Sequence, residues 1–281
     1  MPEGDTVWRT ARRLHQALAG QRLLAADLRW PELSTAALAG LLVTEVTARG
    51  KHLLVRFDND WTLHSHLRME GSWVVQPTDP AQPLPAISAR SAVRAILVGP
   101  EWTALGLRLG ELDLVRSDEE HTLVGHLGPD VLDPAFEPGA AASNLAASGT
   151  GIGAALLDQR NLAGVGTLWA SESLFAEGLH PVTPAASLAA DRLVRLVSRA
   201  RRLMSANLDH AVQSSTGSRR PGRTTYVFGR RGRPCLRCGA TVGVITVGPA
   251  TRERALSYCP RCQPPERDVP GPQVTATSDS R

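Results

Sequence analysis

Four cysteines set the strongest constraint on how this chain of 281 residues folds. They form two pairs, Cys235-x-x-Cys238 and Cys259-x-x-Cys262, and the 234 residues before them contain no cysteine. Twenty residues separate the pairs, and a β-hairpin of that length would bring four thiolates to tetrahedral zinc distances. Because protein ligands would fill all four positions, the pattern predicts one structural Zn²⁺ ion. A redox or iron–sulfur site is the alternative.

The residues between the two pairs support such a hairpin. Residues 241–247 (TVGVITV) have the β-branched composition of a strand, and Ser257 and Tyr258 can pair with it. A hairpin this small buries no core of its own, so the metal would supply its folding energy. The candidates for an outward-facing binding role are Arg252, Arg254 and Arg261.

The charge of the chain is unevenly distributed, although the formal total is only +4. Residues 191–281 hold 17 Lys or Arg and 6 Asp or Glu, whereas residues 1–133 hold 13 and 17. A basic C-terminal region is typical of proteins that bind a polyanion, most often nucleic acid, and a solvated basic face is the alternative. Of the 31 basic residues only one, Lys51, is lysine.

The first half of the chain predicts a helix followed by strands. Val7, Leu14 and Leu18 fall on one helical stripe, Asp5 or Thr6 can cap the helix start, and Gly20 follows its end. Short apolar runs separated by turn residues follow at 41–46, 52–57, 61–67, 72–75 and 92–98. We therefore predict a β-sandwich or barrel domain over residues 2–130 with a leading helix.

The second half predicts helices. A Pro- and Gly-bearing stretch at 131–153 is expected to be a linker, and a helical domain is expected over 154–227. Its helices are predicted at 154–159 and at 168–177, the latter capped by Thr167, and a third is predicted to start from Thr183-Pro184. The zinc hairpin would occupy 228–263 and a disordered tail 264–281.

The N-terminus offers a nucleophile. Pro2 follows the initiator Met, whose removal would leave a free secondary amine. An α-amine titrates near pH 8, so a sizeable fraction of it is neutral at pH 7. Such an amine can attack an aldehyde-like carbon to form an iminium, and Glu3 could carry the protons of that step. An exposed chain end without a function is the alternative interpretation.

Five motifs in order give the chain a family resemblance. They are MPEGD at 1–5, RGKHLL at 49–54, SHLRMEGS at 65–72, LLDQ at 156–159 with AGVG at 163–166, and VFGR at 227–230 before the cysteines. The chain resembles the formamidopyrimidine-DNA glycosylase and endonuclease VIII family over about residues 2–263. The opening Pro-Glu-Gly is most similar to the actinobacterial endonuclease VIII branch.

The resemblance implies a DNA repair enzyme of α+β fold with two domains. They would be an N-terminal β-sandwich with a leading helix and a C-terminal helical domain with a helix-two-turn-helix and a zinc β-hairpin. It implies that Pro2, assisted by Glu3, attacks C1′ of a flipped damaged nucleotide, releases the base and cleaves the strand by β,δ-elimination.

The same resemblance assigns DNA contacts. Lys51 and Arg254 would bind phosphates, and Met69 would fill the void left by the flipped base, with a buried core methionine as the alternative. The turn at Gly164 and Gly166 would offer N–H groups to a phosphate at the start of a helix.

The chain departs from the family pattern at several positions. Thr167 replaces the family's usual asparagine and reaches less far toward a phosphate. Asp5 and Thr6 stand where many endonuclease VIII members have a second glutamate. Arg108 lies near the place of the segment that addresses the opposite strand in guanine-specific members, and is a candidate wedge. Residues 211–226 are short for a loop that covers an oxidised purine, which favours oxidised pyrimidines.

Two other classes of function compete with a glycosylase. One is a non-catalytic zinc protein that binds DNA, and the other is an RNA-associated zinc protein, which an aromatic content of 4% disfavours. The sequence shows neither a membrane-spanning apolar run nor a signal peptide. We expect a cytoplasmic, nucleoid-associated monomer of bacterial origin that acts on damaged DNA and does not bind membranes.

Overall fold

The structure, a computed structural model, describes residues 2–81 and 91–265. It has the predicted α+β architecture. The N-terminal part opens with helix α1 (Gly4–Leu18), and eight strands follow within the described residues. They are β1 (Ala25–Leu28), β2 (Val43–Arg49), β3 (His52–Phe57), β4 (Trp61–His66), β5 (Ser72–Pro77), β6 (Val93–Val98), β7 (Trp102–Leu107) and β8 (Glu111–Arg116).

The eight strands form two antiparallel four-stranded sheets, in the orders β1-β6-β7-β5 and β2-β3-β4-β8. Their inner faces and the apolar stripe of α1 bury one core, which includes Leu14, Leu53, Val55 and Leu97. The predicted strands lie where the sequence indicated, within two or three residues at their ends. The prediction missed β1, β7 and β8, because β1 has only four residues and the other two contain Gly106 or alternate charged with apolar residues.

Helix α1 begins differently from the prediction. Asp5 and Thr6 lie inside the helix, and Glu3 occupies the N-cap position without making a side-chain cap to its own helix. The helix ends at Leu18, and Gly20 has φ +78°, as expected for a glycine after a helix end. The Glu3 side chain is thereby free to serve another element.

Five further helices follow the sandwich strands among the described residues. They are α2 (Glu120–Val124), α3 (Pro138–Ala146), α4 (Ile152–Leu157), α5 (Thr167–Glu177) and α6 (Ala190–Ser205). Helix α3 corrects the predicted linker, because Ala141, Ala142 and Leu145 are buried in the helical core. Small side chains hid its periodicity. Pro184 precedes only a short 3-10 turn, so the predicted third helix starts later, at Ala190.

The cysteine segment is a β-hairpin, as predicted. Strand β9 (Gly243–Val247) pairs antiparallel with β10 (Arg254–Tyr258). Leu256 packs in the helical core, and the Ser257 N–H donates to Ser171 Oγ of α5 at 3.1 Å. The hairpin is therefore anchored to α5. The predicted tail lies outside the described residues from residue 266 onward.

Candidate active site

The N-terminus of the chain packs against the turn that precedes α5. The Gly4 N–H donates to the Gly164 carbonyl at 2.9 Å. A Cβ added at Gly4 would lie 2.9 Å from the Gly164 Cα, so only glycine allows this approach. Gly164 itself has φ +96°, which favours glycine. The partly buried Pro2 is thus held where the two parts of the protein meet.

The carboxylate of Glu3 caps the N-terminus of α5, although the two are more than 160 residues apart in the sequence. It accepts the N–H groups of Gly166 at 2.8 Å, Leu168 at 2.8 Å and Trp169 at 3.3 Å. These are unpaired donors at a helix start, where the helix dipole favours an anion. Thr167 was predicted to cap this helix, but Gly166 occupies the N-cap position and Thr167 is its first helical residue.

Glu3 is only 1% exposed. Burial raises its pKa above the ordinary value, and the nearby Lys51 ammonium and the backbone donors oppose that shift. A carboxyl with a raised pKa can both accept and release a proton closer to neutral pH than an exposed glutamate can. Glu3 directly follows Pro2 in the sequence.

Residue 166 must be glycine, because the Glu3 side chain fills the space that a Cβ would need. A Cβ at this residue would lie 2.4 Å from the Glu3 Cδ and 2.6 Å from its Oε1. Its φ of −124° is open to any residue, so the constraint is steric.

We expect Gly166→Ala to lower the free energy of unfolding by about 3 kcal/mol, through overpacking and lost carboxylate hydrogen bonds. Gly139→Ala is the matched control, since a Cβ there meets nothing within 4 Å, and it should be neutral or slightly stabilising. Denaturant unfolding measures both. Equal stability of the two variants would show that Glu3 is not held as described.

Lys51 faces the same turn from the N-terminal part. Its Nζ donates to the Val165 carbonyl at 2.7 Å, and the preceding Gly50, with φ +60°, donates its N–H to Asp130 Oδ2 at 2.6 Å. Burial lowers the pKa of Lys51, the Glu3 carboxylate raises it, and Arg254 of strand β10 lowers it further. Arg254 is exposed, and its charge is near enough to lower the pKa of Lys51.

Gln159 holds the turn that both Glu3 and Lys51 contact. Its Oε1 accepts the Gly164 N–H at 3.0 Å, and its Nε2 donates to the Val165 carbonyl at 2.9 Å. The N–H groups of Gly164 and Gly166 are therefore both used within the protein, contrary to the expectation that they point toward a phosphate. The sequence contained Gln159 in a motif but gave no indication of this role.

Met69 lies in the turn after β4 and is 65% exposed, which rules out the buried core methionine. Two arginines with positive φ border the same end of the sheets: Arg68, at +51°, and Arg108, at +46°. Arg68 forms an ion pair with Glu111. Met69 is therefore an exposed, unbranched apolar side chain next to Arg68 in the chain.

Two buried carboxylates fix the segment after α6: Asp5, which the sequence indicated only as a possible helix cap, and Glu172, which it did not indicate. Asp5 accepts the Gln213 amide at 2.8 and 2.9 Å on its two oxygens. Glu172 of α5 accepts the N–H groups of Tyr226, Val227 and Phe228 at 2.8–2.9 Å. Burial of a carboxylate is a property of the fold, so no local sequence signal identifies these roles.

The four cysteines come together at the base of the hairpin, as predicted. Their sulfur atoms all lie within 4.8 Å of one another, and Cys238 Sγ is 3.4 Å from Cys259 Sγ. A tetrahedral ZnS₄ site with Zn–S of about 2.3 Å needs sulfur atoms about 3.8 Å apart. None of the four forms a disulfide. The donor set therefore fits a tetrahedral metal ion.

Two family models match this chain. The formamidopyrimidine-DNA glycosylase N-terminal domain matches residues 1–98, and the formamidopyrimidine-DNA glycosylase H2TH domain matches residues 127–218. The matches fall on the sandwich part and on the helical part. The turn at residues 163–166 and the N-terminal Pro2 both lie within matched regions.

Among curated proteins, the chain is 48% identical over 272 residues to "Probable endonuclease 8 2" of Streptomyces coelicolor, covering 96% of this chain and 97% of that protein. It is 40% identical to "DNA-(apurinic or apyrimidinic site) lyase Nei2" of Mycolicibacterium smegmatis, covering 94% and 99%. The formamidopyrimidine-DNA glycosylase of Lactococcus lactis bound to DNA containing an AP site has the same fold, with a TM-score of 0.76 and 23% identity over 93% of this chain and 99% of that one.

Proposed function

This chain belongs to the formamidopyrimidine-DNA glycosylase and endonuclease VIII family, and we propose that it is a DNA base-excision repair glycosylase with AP lyase activity. The observation that carries the proposal is the Glu3 carboxylate, buried between Pro2 and the N-terminus of α5 with Lys51 beside it. An exposed chain end would need no such enclosure. Two relatives carry names of an endonuclease and of an AP lyase.

The proposed reaction begins with the Pro2 amine, freed by removal of Met1, which lies outside the described residues. The amine nitrogen bonds to C1′ of a flipped nucleotide as the bond from C1′ to the damaged base breaks, and the base leaves with that electron pair and takes a proton from water. The Glu3 carboxylate takes the proton from the resulting ammonium and returns it to the sugar ring oxygen as the ring opens. The product is an iminium between Pro2 and C1′.

Strand cleavage follows from that iminium. Loss of a proton from C2′ expels the 3′ phosphate, and loss of a proton from C4′ expels the 5′ phosphate, which together constitute β,δ-elimination. Water then releases the sugar fragment and restores the amine. Sodium borohydride reduces the iminium to a stable amine, so it should trap this protein on damaged duplexes. A panel of lesions tests the activity, and cleavage or trapping on none of them would contradict it.

The proposed substrate is an oxidised pyrimidine. The segment between α6 and the zinc hairpin supports this substrate class. The Gln213 amide donates to Asp5, and Glu172 accepts backbone N–H groups of residues 226–228. A segment held in this way leaves little chain to close over a larger purine. The same borohydride panel distinguishes the classes, since trapping should be strongest on oxidised pyrimidines.

Lys51 and Arg254 are proposed to bind phosphates on the two sides of the damaged nucleotide, with Met69 filling the gap in the duplex and the turn 164–167 shaping the opening. The electrostatic influence of Arg254 on Lys51 supports a shared anion site. Two cations brought together at one opening are stabilised when an anion lies between them.

We expect Lys51→Arg to weaken binding to an abasic-site duplex by roughly tenfold or more, although it keeps the charge. The ammonium sits in a partly closed space against the Val165 carbonyl, and a wide planar guanidinium fits that space less well. Fluorescence anisotropy measures the affinity. An affinity equal to that of the parent would show that the shape of the lysine is irrelevant.

The metal at the four cysteines is proposed to be a single structural Zn²⁺. Four thiolate ligands leave no open position for catalysis, and the ion would hold the hairpin that carries Arg254. Metal analysis of the purified protein should find about one zinc per chain, and Cys238→Ser should remove it and weaken DNA binding. Iron in place of zinc would contradict the assignment.

No helix among the described residues is long and apolar enough to cross a membrane. The proposed location is the bacterial cytoplasm at the nucleoid, because DNA is the proposed partner, and the proposed state is a monomer. Size-exclusion chromatography with light scattering tests the oligomeric state.

A further inference from the structure

A group of histidines lies beside Lys51 on the outer face of the sheet β2-β3-β4-β8 and has no part in the proposed chemistry. We call His52, His64, His66 and His126 the histidine cluster. The centroid of the His52 ring is 5.1 Å from that of His64, 4.9 Å from that of His66 and 6.1 Å from that of His126. His52 and His66 are also direct cross-strand neighbours.

A chain of hydrogen bonds runs through the cluster from Asp113. The Nδ1 atom of His64 is 2.8 Å from Asp113 Oδ2, and its Nε2 atom is 2.8 Å from Nδ1 of His52. A carboxylate only accepts, so the proton lies on His64 Nδ1, and in the neutral ring His64 Nε2 is then an acceptor. His52 must donate from Nδ1, which leaves its Nε2 with a lone pair.

One added proton reverses the direction of the hydrogen bond between His52 and His64. A proton taken up at His52 Nε2 lets the proton between the rings move onto His64 Nε2. His52 is then neutral and donates from Nε2, while the positive charge lies on His64, which is 2% exposed and hydrogen-bonded to the Asp113 carboxylate. The Nε2 atom of the half-buried His52 is thus an acceptor in one state and a donor in the other.

The surroundings of His52 oppose the protonated state unless an anion is present. The charged groups on the neighbouring elements are Arg49 on β2, Lys51, Arg68 after β4, and Glu111 and Asp113 on β8, with His66 and His126 titratable. Glu111 is engaged by Arg68, and Arg49 donates to the Gly128 carbonyl. Burial, followed by His64, His66, His126 and Arg68, lowers the pKa of His52 to about 3.

We propose that His52 is a proton-dependent contact for a backbone phosphate of bound DNA, and that binding draws one proton from solvent into the Asp113–His64–His52 chain. A phosphate oxygen is only an acceptor, so it fits the donor state and not the lone-pair state. The anion also offsets the electrostatic opposition of Arg68 and His66. This inference rests on the proposed function, because it takes DNA as the ligand.

Proton uptake on binding tests the inference. Calorimetric titration with a duplex containing a tetrahydrofuran abasic analogue, at one pH in two buffers of different ionisation enthalpy, gives the number of protons bound. The parent should take up about one proton more than His52→Gln, whose amide does not titrate. Its affinity should also rise by up to about tenfold more per unit fall in pH. His121→Gln, an exposed histidine outside the cluster, is the matched control and should behave like the parent.

Asp113→Asn provides a second, independent variant, because Asp113 is 45% exposed and its substitution should be tolerated. Loss of the carboxylate removes the stabilisation of the His64 cation, so proton uptake should fall here too. Equal uptake by the parent and both variants would overturn the inference while leaving glycosylase activity intact. Failure of the parent to bind the duplex at all would overturn the proposed function as well.

Discussion

An N-terminal extension is expected to abolish borohydride trapping of this protein on damaged DNA completely. The proposed nucleophile is the secondary amine of Pro2. A peptide bond at that nitrogen delocalises its lone pair, so the nitrogen is no longer nucleophilic. The assay is a denaturing gel of the reduced protein–DNA complex.

A removable fusion gives the matched control for this experiment. Cleavage of the fusion immediately before Pro2 regenerates the free amine, and trapping should return to the level of the parent. The extended protein should still bind an abasic-site duplex through its phosphate contacts, although less tightly. Trapping by the extended protein at the parental level would show that another group is the nucleophile.

Glu3→Gln is expected to slow excision of a damaged base by roughly 10²- to 10⁴-fold, the usual contribution of a positioned proton carrier. The amide is of nearly the same size but cannot accept a proton from the Pro2 ammonium. It also offers one acceptor oxygen in place of two to the N–H groups of Gly166, Leu168 and Trp169, which should cost about 1–3 kcal/mol of stability.

Two controls separate chemistry from folding in this variant. A thermal melt should show a single cooperative transition at a moderately lower temperature. Trapping on a preformed abasic site should remain within about tenfold of the parent, because the sugar ring of the open-chain aldehyde is already open and needs no proton delivered to its oxygen. Excision at the parental rate by a folded Glu3→Gln protein would remove Glu3 from the mechanism.

Local patterns in the sequence were sufficient for much of the fold. Strand β3 lies at the residues predicted for it, since its apolar run is bounded by turn residues, and the cysteine hairpin followed from ligand spacing. Helix α3 was missed because alanines and a glycine give little periodic signal. It is a helix because Ala141 and Leu145 pack against its neighbours.

The candidate site was predictable in its residues but not in its connections. The motifs identified Pro2, Glu3 and Lys51. Only the hydrogen bonds of the folded structure show that Glu3 caps α5 and that Lys51 donates to the Val165 carbonyl. Both contacts join residues more than 100 positions apart, and no local pattern encodes them. The same is true of the Gln213–Asp5 pair.

The position of the trapped adduct shows directly whether Pro2 is the nucleophile. The chain has a single lysine, so the amines open to iminium formation are the N-terminal one and Lys51. Lys51 is a real competitor, because burial lowers its pKa and leaves more of it neutral than an exposed lysine would be. Mass spectrometry of the reduced, digested complex should place the whole adduct on the peptide that begins at Pro2. An adduct on Lys51, or an N-terminal peptide that still carries Met1, would contradict the proposed mechanism.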